Sequence, residues 1–273
     1  MADVSGEAHG EHSASISGRA MKPSLYLSYG MTKCGSTLAF KLTRELYAKN
    51  GHEQARLPEA ILDRHRSTNF VPFLTDEKVD AILDIVERDG ATLVLKSHTP
   101  PSDAVKQLLA DGRAIGHAIF RDPREMALSM LDHGVRSRGE GVAAFADLIK
   151  VGDCIERIER QIGYFNEWAD LPGIKPWFYD DFAWDQEGLL ERVKDQAGLK
   201  GSPAKLLAGF DDTHHMQFNK GTPARWKTDM SKEDSDAYLA HFADFYARFD
   251  DLRSYWRTWT PPKTGLLSRL GLG

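Results

Sequence analysis

Cysteine is scarce in this chain: Cys34 and Cys154 are the only two among 273 residues. Two thiols cannot build a disulfide framework, so the composition favours a reducing, cytoplasmic setting. Long hydrophobic runs are missing too. No apolar stretch approaches the roughly 20 residues of a membrane-spanning helix, so no transmembrane segment is expected. Positive charge is not in surplus: 35 Lys and Arg stand against 40 Asp and Glu, for a formal net charge of -5. Non-specific nucleic-acid binding needs a basic face, and this balance argues against it. The opening stretch, MADVSGEAHGEHSASISGRA, is polar and has no apolar centre. It reads as a disordered tail over residues 1–21, not as a secretory signal. No internal repeat and no Gly/Ser-rich linker divides the rest. One domain is expected over 22–260, and a tail over 261–273 follows where Pro261-Pro262 stops regular structure.

What the chain does have is an alternation of short apolar runs with helical patterns, the signature of a parallel sheet covered by helices. Strands are predicted at Leu25–Tyr29, Thr92–Lys96, Ala114–Phe120 and Lys175–Tyr179. Helices are predicted over Leu38–Lys49, over Asp153–Trp168 with Ile155, Ile158, Ile162 and Phe165 on one stripe, and over Lys232–Phe249 with Tyr238, Phe242, Phe245 and Phe249 on another. Spacings of three and four make both stripes core contacts. Asp122-Pro123 reads as a helix N-cap followed by proline at the first helical position.

The segment Gly30-Met31-Thr32-Lys33-Cys34-Gly35-Ser36-Thr37 lies between the first strand and the first helix. A glycine-rich turn there aims backbone N–H groups at an anion. It nearly spells the P-loop pattern G-x-x-x-x-G-K-[ST], but Ser36 stands in the lysine position and the lysine is three residues earlier, at Lys33. Three further segments add chemistry. Lys96-Ser97-His98 closes a predicted strand, and strand C-termini form the ligand crevice of such sheets. Arg121, at another strand end, can grip a phosphate through its fork, with Ser129 adding a hydroxyl from the helix that follows. Asn219-Lys220-Gly221 with Trp226-Lys227 is a basic late loop. Cys34 at a helix N-terminus could read as a nucleophile, but it has no partner base and reads better as a small loop residue. Arg136-Ser137-Arg138 is either an acceptor patch or a solvated loop. His214-His215 lacks a third ligand at zinc spacing, and no metal is expected.

Taken together, these segments resemble the sulfotransferases that use 3′-phosphoadenosine 5′-phosphosulfate (PAPS). Thr32-Lys33-Cys34-Gly35-Ser36-Thr37-Leu38 resembles that family's 5′-phosphosulfate loop, and Arg121 to Ser129 its 3′-phosphate motif. Lys96-Ser97-His98 resembles the segment with the catalytic histidine, Tyr179-Asp180-Asp181 one beside the nucleotide, and Lys220-Gly221 with Trp226-Lys227 the late loop. Departures are Cys34 for a small residue, Leu38 for a frequent tryptophan, and Asn219 for a frequent arginine. The stretch Asp132–Gly152 matches no assigned motif.

The resemblance implies an α/β, P-loop nucleotide-binding-like three-layer sandwich and a metal-free PAPS-dependent sulfotransferase. It implies that Lys33 assists departure of the 5′-phosphate, that His98 is the general base, and that Lys96 stabilises charge on the transferring group. Thr32, Cys34, Gly35, Ser36, Thr37 and Leu38 belong to the phosphosulfate loop. Arg121, Ser129, Lys220 and Gly221 would hold the 3′-phosphate, with Tyr179 near the nucleotide. The acceptor is expected to be a hydroxyl-bearing glycan or small molecule, with carbohydrate or glycolipid ahead of a small alcohol or phenol. Two other readings stay open. One is a nucleoside-triphosphate kinase with an altered P-loop, which Ser36 opposes. The other is a non-catalytic nucleotide-binding protein of the same fold.

Overall fold

The computed structural model describes residues 22–62, 68–210 and 224–260. β1 (Leu25–Gly30) leads into α1 (Ser36–Lys49), then α2 (Glu59–Leu62), α3 (Asp76–Asp89) and β2 (Leu93–Ser97). From there α4 (Asp103–Ala110) joins β3 (Ala114–Phe120), and α5 (Pro123–Glu140) and α6 (Ile155–Ala169) lead to β4 (Ile174–Phe178). Next come α7 (Tyr179–Phe182), α8 (Gln186–Ala197), α9 (Pro203–Ala208), α10 (Trp226–Asp229), α11 (Lys232–His241), α12 (Ala243–Ala247) and α13 (Phe249–Thr258). All four predicted strands form, within a residue or so of the expected limits.

The sheet is wholly parallel, in the order β2-β1-β3-β4. Every residue of β1 is buried, as a strand covered on both faces requires. Side chains alternate along a strand, so Tyr26 and Tyr29 face opposite ways. The Tyr26 ring meets Tyr47 of α1 at 5.5 Å, and the Tyr29 ring stacks on Trp168 of α6 at 5.2 Å. One helix thus covers each face, giving the three expected layers. Ile158, Ile162, Phe165 and Trp168 line the buried face of α6. Asp122 caps α5 by accepting from Arg124 N at 2.9 Å, with Pro123 beginning the helix.

The predicted helix over Lys232–Phe249 forms as separate pieces. The backbone leaves helical geometry at Phe242 (φ -104, ψ 27) and turns again at Arg248. Arg248 is tied to the end of α6 by Asn166 and Asp170 at 3.0 Å each. The core reading of the stripe still holds. Tyr238, Phe242 and Phe245 are buried, and Phe249 packs on Phe120 at 5.5 Å. The breaks let α13 cover the β4 edge, where Trp256 meets Trp177 at 5.9 Å.

The connection from β1 runs to β2 on one side, and the connection from β3 runs to β4 on the other. The order therefore reverses between β1 and β3, and a crevice opens beyond their C-terminal ends. The Lys33 loop follows β1 and Arg121 follows β3, so the two flank that crevice.

Candidate functional site

The turn between β1 and α1 is built from two left-handed residues, Lys33 at φ 68 and Gly35 at φ 72. Gly35 is the N-cap of α1, whose first turn carries no acidic residue to compete for an anion. Two long-range contacts fix the turn. Both Thr32 N–H (2.7 Å) and Thr32 Oγ1–H (3.0 Å) donate to Gln161 Oε1 of α6. Arg121 Nη1 donates to the Lys33 carbonyl at 3.2 Å. A Cβ at Gly35 would lie 2.4 Å from the Tyr179 ring, so only glycine leaves this floor intact. Cys34 is fully buried and gives its thiol hydrogen to the Met31 carbonyl. Burial pushes that thiol up to about 12, so it is no thiolate nucleophile. Ser36 is buried, Thr37 is exposed, and Leu38 turns its side chain into the core while its amide bonds the Gly35 carbonyl.

Lys96 rises from β2 into this region and donates to Thr37 Oγ1 at 2.8 Å. It is 8 % exposed, and burial lowers its ammonium to about 8. His98, just past β2, places Nδ1 2.6 Å from the Gly30 carbonyl. A carbonyl only accepts, so Nδ1 carries the hydrogen and Nε2 keeps its lone pair. A solvated imidazole titrates near 6.5. In the fold, burial first and the Lys96 charge second lower it to about 3, so it is held neutral. The Phe70 ring stands edge-on to it at 5.3 Å.

Arg121 is 8 % exposed. Its guanidinium lies 4.2 Å from the Tyr179 ring centre, and Nη2 donates to Glu125 Oε2 at 3.2 Å. Nε is buried with no hydrogen-bond partner. A buried guanidinium with an unsatisfied donor calls for a partner that the described residues do not supply. The acidic neighbour of Arg121 is Glu125, while Asp122 pairs instead with Arg124 at 2.7 Å. Arg124 also stacks on Trp226 at 3.6 Å, so it binds α10 to α5 and does not face the crevice. Ser129 is buried one turn beyond Glu125 on α5. Asp180, beside Arg121, has its carboxyl raised to about 6 by burial.

Lys33 reaches across to α5, its Nζ 3.1 Å from His133 Nδ1. Burial, then the charges of Arg136 and Arg121, lower this ammonium to about 8. Arg136 is exposed near Lys33, Ser137 is buried, and Arg138 donates to the carbonyls of Ala146 and Leu148. The predicted patch thus divides into one open cation and one structural brace. Trp226 and Lys227 lie on α10; Lys220, Gly221 and His214-His215 fall outside the described residues. Among the described residues, no group of three His, Cys, Asp or Glu side chains could hold a metal ion, and no helix is long and apolar enough to cross a membrane.

The structure therefore brings Thr32 to Leu38, Lys96, His98, Arg121 and Tyr179 to the C-terminal edge of the sheet, while Ser129 lies buried farther along α5, between Glu125 and His133. Sequence reasoning missed Glu125, His133 and Gln161. Glu125 and His133 could have been found from the helix itself, since they stand four residues either side of Ser129. Gln161 had no such signal.

In fold, the chain is similar to retinol dehydratase in complex with androsterone and the inactive cofactor PAP. The TM-score is 0.51 at 14% identity, covering 82% of this chain and 81% of that one. A second structure of retinol dehydratase, with retinol and PAP, gives 0.51 at 16% identity over 82% and 81%. Mouse sulfotransferase SULT7A1 complexed with PAP gives 0.48 at 13% identity over 88% and 90%. No family model matches the chain, and no curated protein matches it in sequence. At such identities the likeness to the two retinol dehydratase structures establishes a shared fold.

Proposed function

We propose that this chain is a sulfotransferase that moves a sulfuryl group from PAPS to an acceptor hydroxyl. The observation that carries the proposal is Arg121: a buried guanidinium just past β3 that ties itself through Nη1 to the Lys33 carbonyl of the loop after β1 and leaves its Nε–H without a partner. The bare Gly35 floor beneath Tyr179 supports it, as does the likeness in fold to structures that hold PAP. The residues present fit the donor. Thr32, Cys34, Gly35, Ser36, Thr37 and Leu38 would frame its phosphosulfate. Arg121 and Ser129, with Lys220 and Gly221, would take the 3′-phosphate, and Tyr179 would border the nucleotide.

PAPS supplies the sulfuryl group, whose sulfur–oxygen bond to the 5′-phosphate breaks as a bond to the acceptor oxygen forms. Lys33 donates hydrogen bonds to the departing oxygen, where negative charge grows. His98 takes the acceptor's proton at Nε2, which its Nδ1–H bond to Gly30 leaves free. Lys96, held by Thr37, sets a buried positive charge beside the transferring group. Positioning and charge stabilisation suffice for such a transfer, and no metal is part of the proposal.

For the acceptor we infer a carbohydrate or glycolipid first. Phe70 beside His98, and Phe73 exposed in the same segment, offer flat faces of the kind sugar rings pack against. A small alcohol or phenol is the second reading, favoured by the alcohols androsterone and retinol named with the similar structures. We place the reaction in the cytoplasm, where two buried free thiols are stable. Incubation with radiolabelled PAPS and a panel of glycans, glycolipids, alcohols and phenols tests the proposal. Label in a product, lost in Lys33→Ala and His98→Ala, is expected. Phosphoryl transfer from magnesium-ATP instead would assign the chain to the kinase reading.

A further inference from the structure

On α5, one turn beyond Ser129, His133 faces the crevice and meets Lys33. Lysine ammonium has only hydrogens to give, so Nδ1 of His133 is the acceptor of this 3.1 Å bond and the ring is the neutral Nε2–H tautomer. The ring is set in place from behind. Phe145 stands edge-on to it at 5.1 Å, with Phe145 itself in the left-handed region at φ 60, where a bulky residue is strained. That close approach depends on Gly134, where a Cβ would lie 2.4 Å from the Phe145 carbonyl oxygen. Arg138 holds the same segment through the Ala146 and Leu148 carbonyls, both at 2.9 Å. Lys33 is aimed from its own side by its left-handed backbone and by the Arg121 bond to its carbonyl.

We propose that His133 is a positioning residue for Lys33: its neutral ring holds one ammonium hydrogen, fixing the amine over the β1–α1 loop, and its protonation releases the amine. The proposal rests on reading Lys33 as the residue at the leaving oxygen. A lysine side chain otherwise spreads over many rotamers, and one fixed hydrogen leaves two for the departing oxygen. The charges facing His133 are Lys33 from the loop, Arg136 and Glu140 from its own helix, and Arg157 of α6 behind the Phe145 ring, while Asp132 acts on Lys33 and pairs with Arg225. Burial first, then the cations Lys33 and Arg136, lower the imidazole below its ordinary range, so neutral His133 is the resting state near neutrality.

The test compares wild type with His133→Ala and His133→Asn across pH. It measures PAPS turnover, adenosine 3′,5′-bisphosphate affinity by calorimetry, and the side-chain NMR signal of Lys33 in protein carrying labelled lysine. Loss of that signal in Lys33→Arg assigns it. We expect His133→Ala to lose about tenfold in kcat, with nucleotide affinity changed less than about threefold. His133→Asn, whose Oδ1 can stand in for Nδ1, should restore kcat near neutrality and lack the wild-type loss at acid pH. In wild type the Lys33 signal should shift as His133 titrates, and in His133→Asn it should not. Wild-type kcat in His133→Ala, or a Lys33 signal indifferent to acid, overturns the proposal. If wild type neither binds the bisphosphate nor transfers sulfate, the sulfotransferase reading fails, and the Lys33 signal alone decides the role of His133.

Discussion

At the residue scale, the two lysines of the site differ from surface lysines in one measurable way. Burial brings both Lys33 and Lys96 down to about 8. Each must be charged to stabilise an anion, so kcat/KM for PAPS should fall as pH rises through about 8. Lys33→Arg, which stays charged, should move part of that loss to higher pH. His98 acts in the opposite sense. Its pKa is lowered to about 3, so the base remains unprotonated as the solution is acidified and should add no loss of rate until pH approaches about 3. Replacing His98 by Gln should lower kcat by about 10²–10⁴-fold in steady-state assays and leave affinity for adenosine 3′,5′-bisphosphate nearly unchanged. The identity of these residues was legible in the sequence, because a strand-end K-S-H and a lysine ahead of Gly35 need no structure to be noticed. Their protonation was not legible, because it depends on Phe70, Gly30 and the enclosing fold.

At the element scale, α5 joins the parts of the site. Glu125 is 1 % exposed and accepts from both Arg121 Nη2 and Trp226 N, linking the Arg121 site to α10. Arg225 adds a second tie, to Asp132 at 2.9 Å. Glu125→Gln keeps the shape but replaces one acceptor oxygen by a donor, so one of the two facing N–H groups loses its partner. A cost of about 1–3 kcal/mol in urea unfolding is expected, together with weaker binding of adenosine 3′,5′-bisphosphate. The β1–α1 turn makes a second prediction. Gly35→Ala puts a Cβ into the Tyr179 ring at a left-handed backbone position. It should abolish measurable nucleotide binding in calorimetry, and Tyr179→Ala in the same chain should recover part of it by opening space. The N-cap at Asp122, the proline after it and the arginine-to-serine step were readable locally. Glu125 and His133 carried only the local sign of standing four residues either side of Ser129, and Gln161 carried none, because Trp226, Lys33 and Thr32, which they meet, lie about 100 or more residues away.

At the scale of the whole molecule, the parallel order β2-β1-β3-β4 creates the crevice, and the alternation of strands and helices predicted such a sheet. The breaks at Phe242 and Arg248 escaped prediction because ties to α6 and the exposed edge of β4 set them, and no local breaker marks them. The sheet also carries a pH-sensitive element away from the site. His117 is wholly buried between Ser28 and Tyr26, at 2.8 and 3.0 Å, and its pKa is lowered to about 3. The unfolded chain binds this proton at higher pH than the folded one, so stability from this residue is present above about pH 6.5 and is lost as pH falls toward about 3. Its share of the slope approaches 1.4 kcal/mol per pH unit within that window, and His117→Gln should flatten the fall of the urea-unfolding free energy with pH by about that amount. The central claim is that the crevice between the Lys33 loop and Arg121 is a site for a nucleotide with two separate phosphate ends. Calorimetric titration of the wild type and Arg121→Ala with adenosine 3′,5′-bisphosphate, without metal, tests it most directly. Binding by the wild type that weakens at least about tenfold in the variant is the predicted result. No binding by the wild type, or tighter binding of magnesium-ATP, would contradict it.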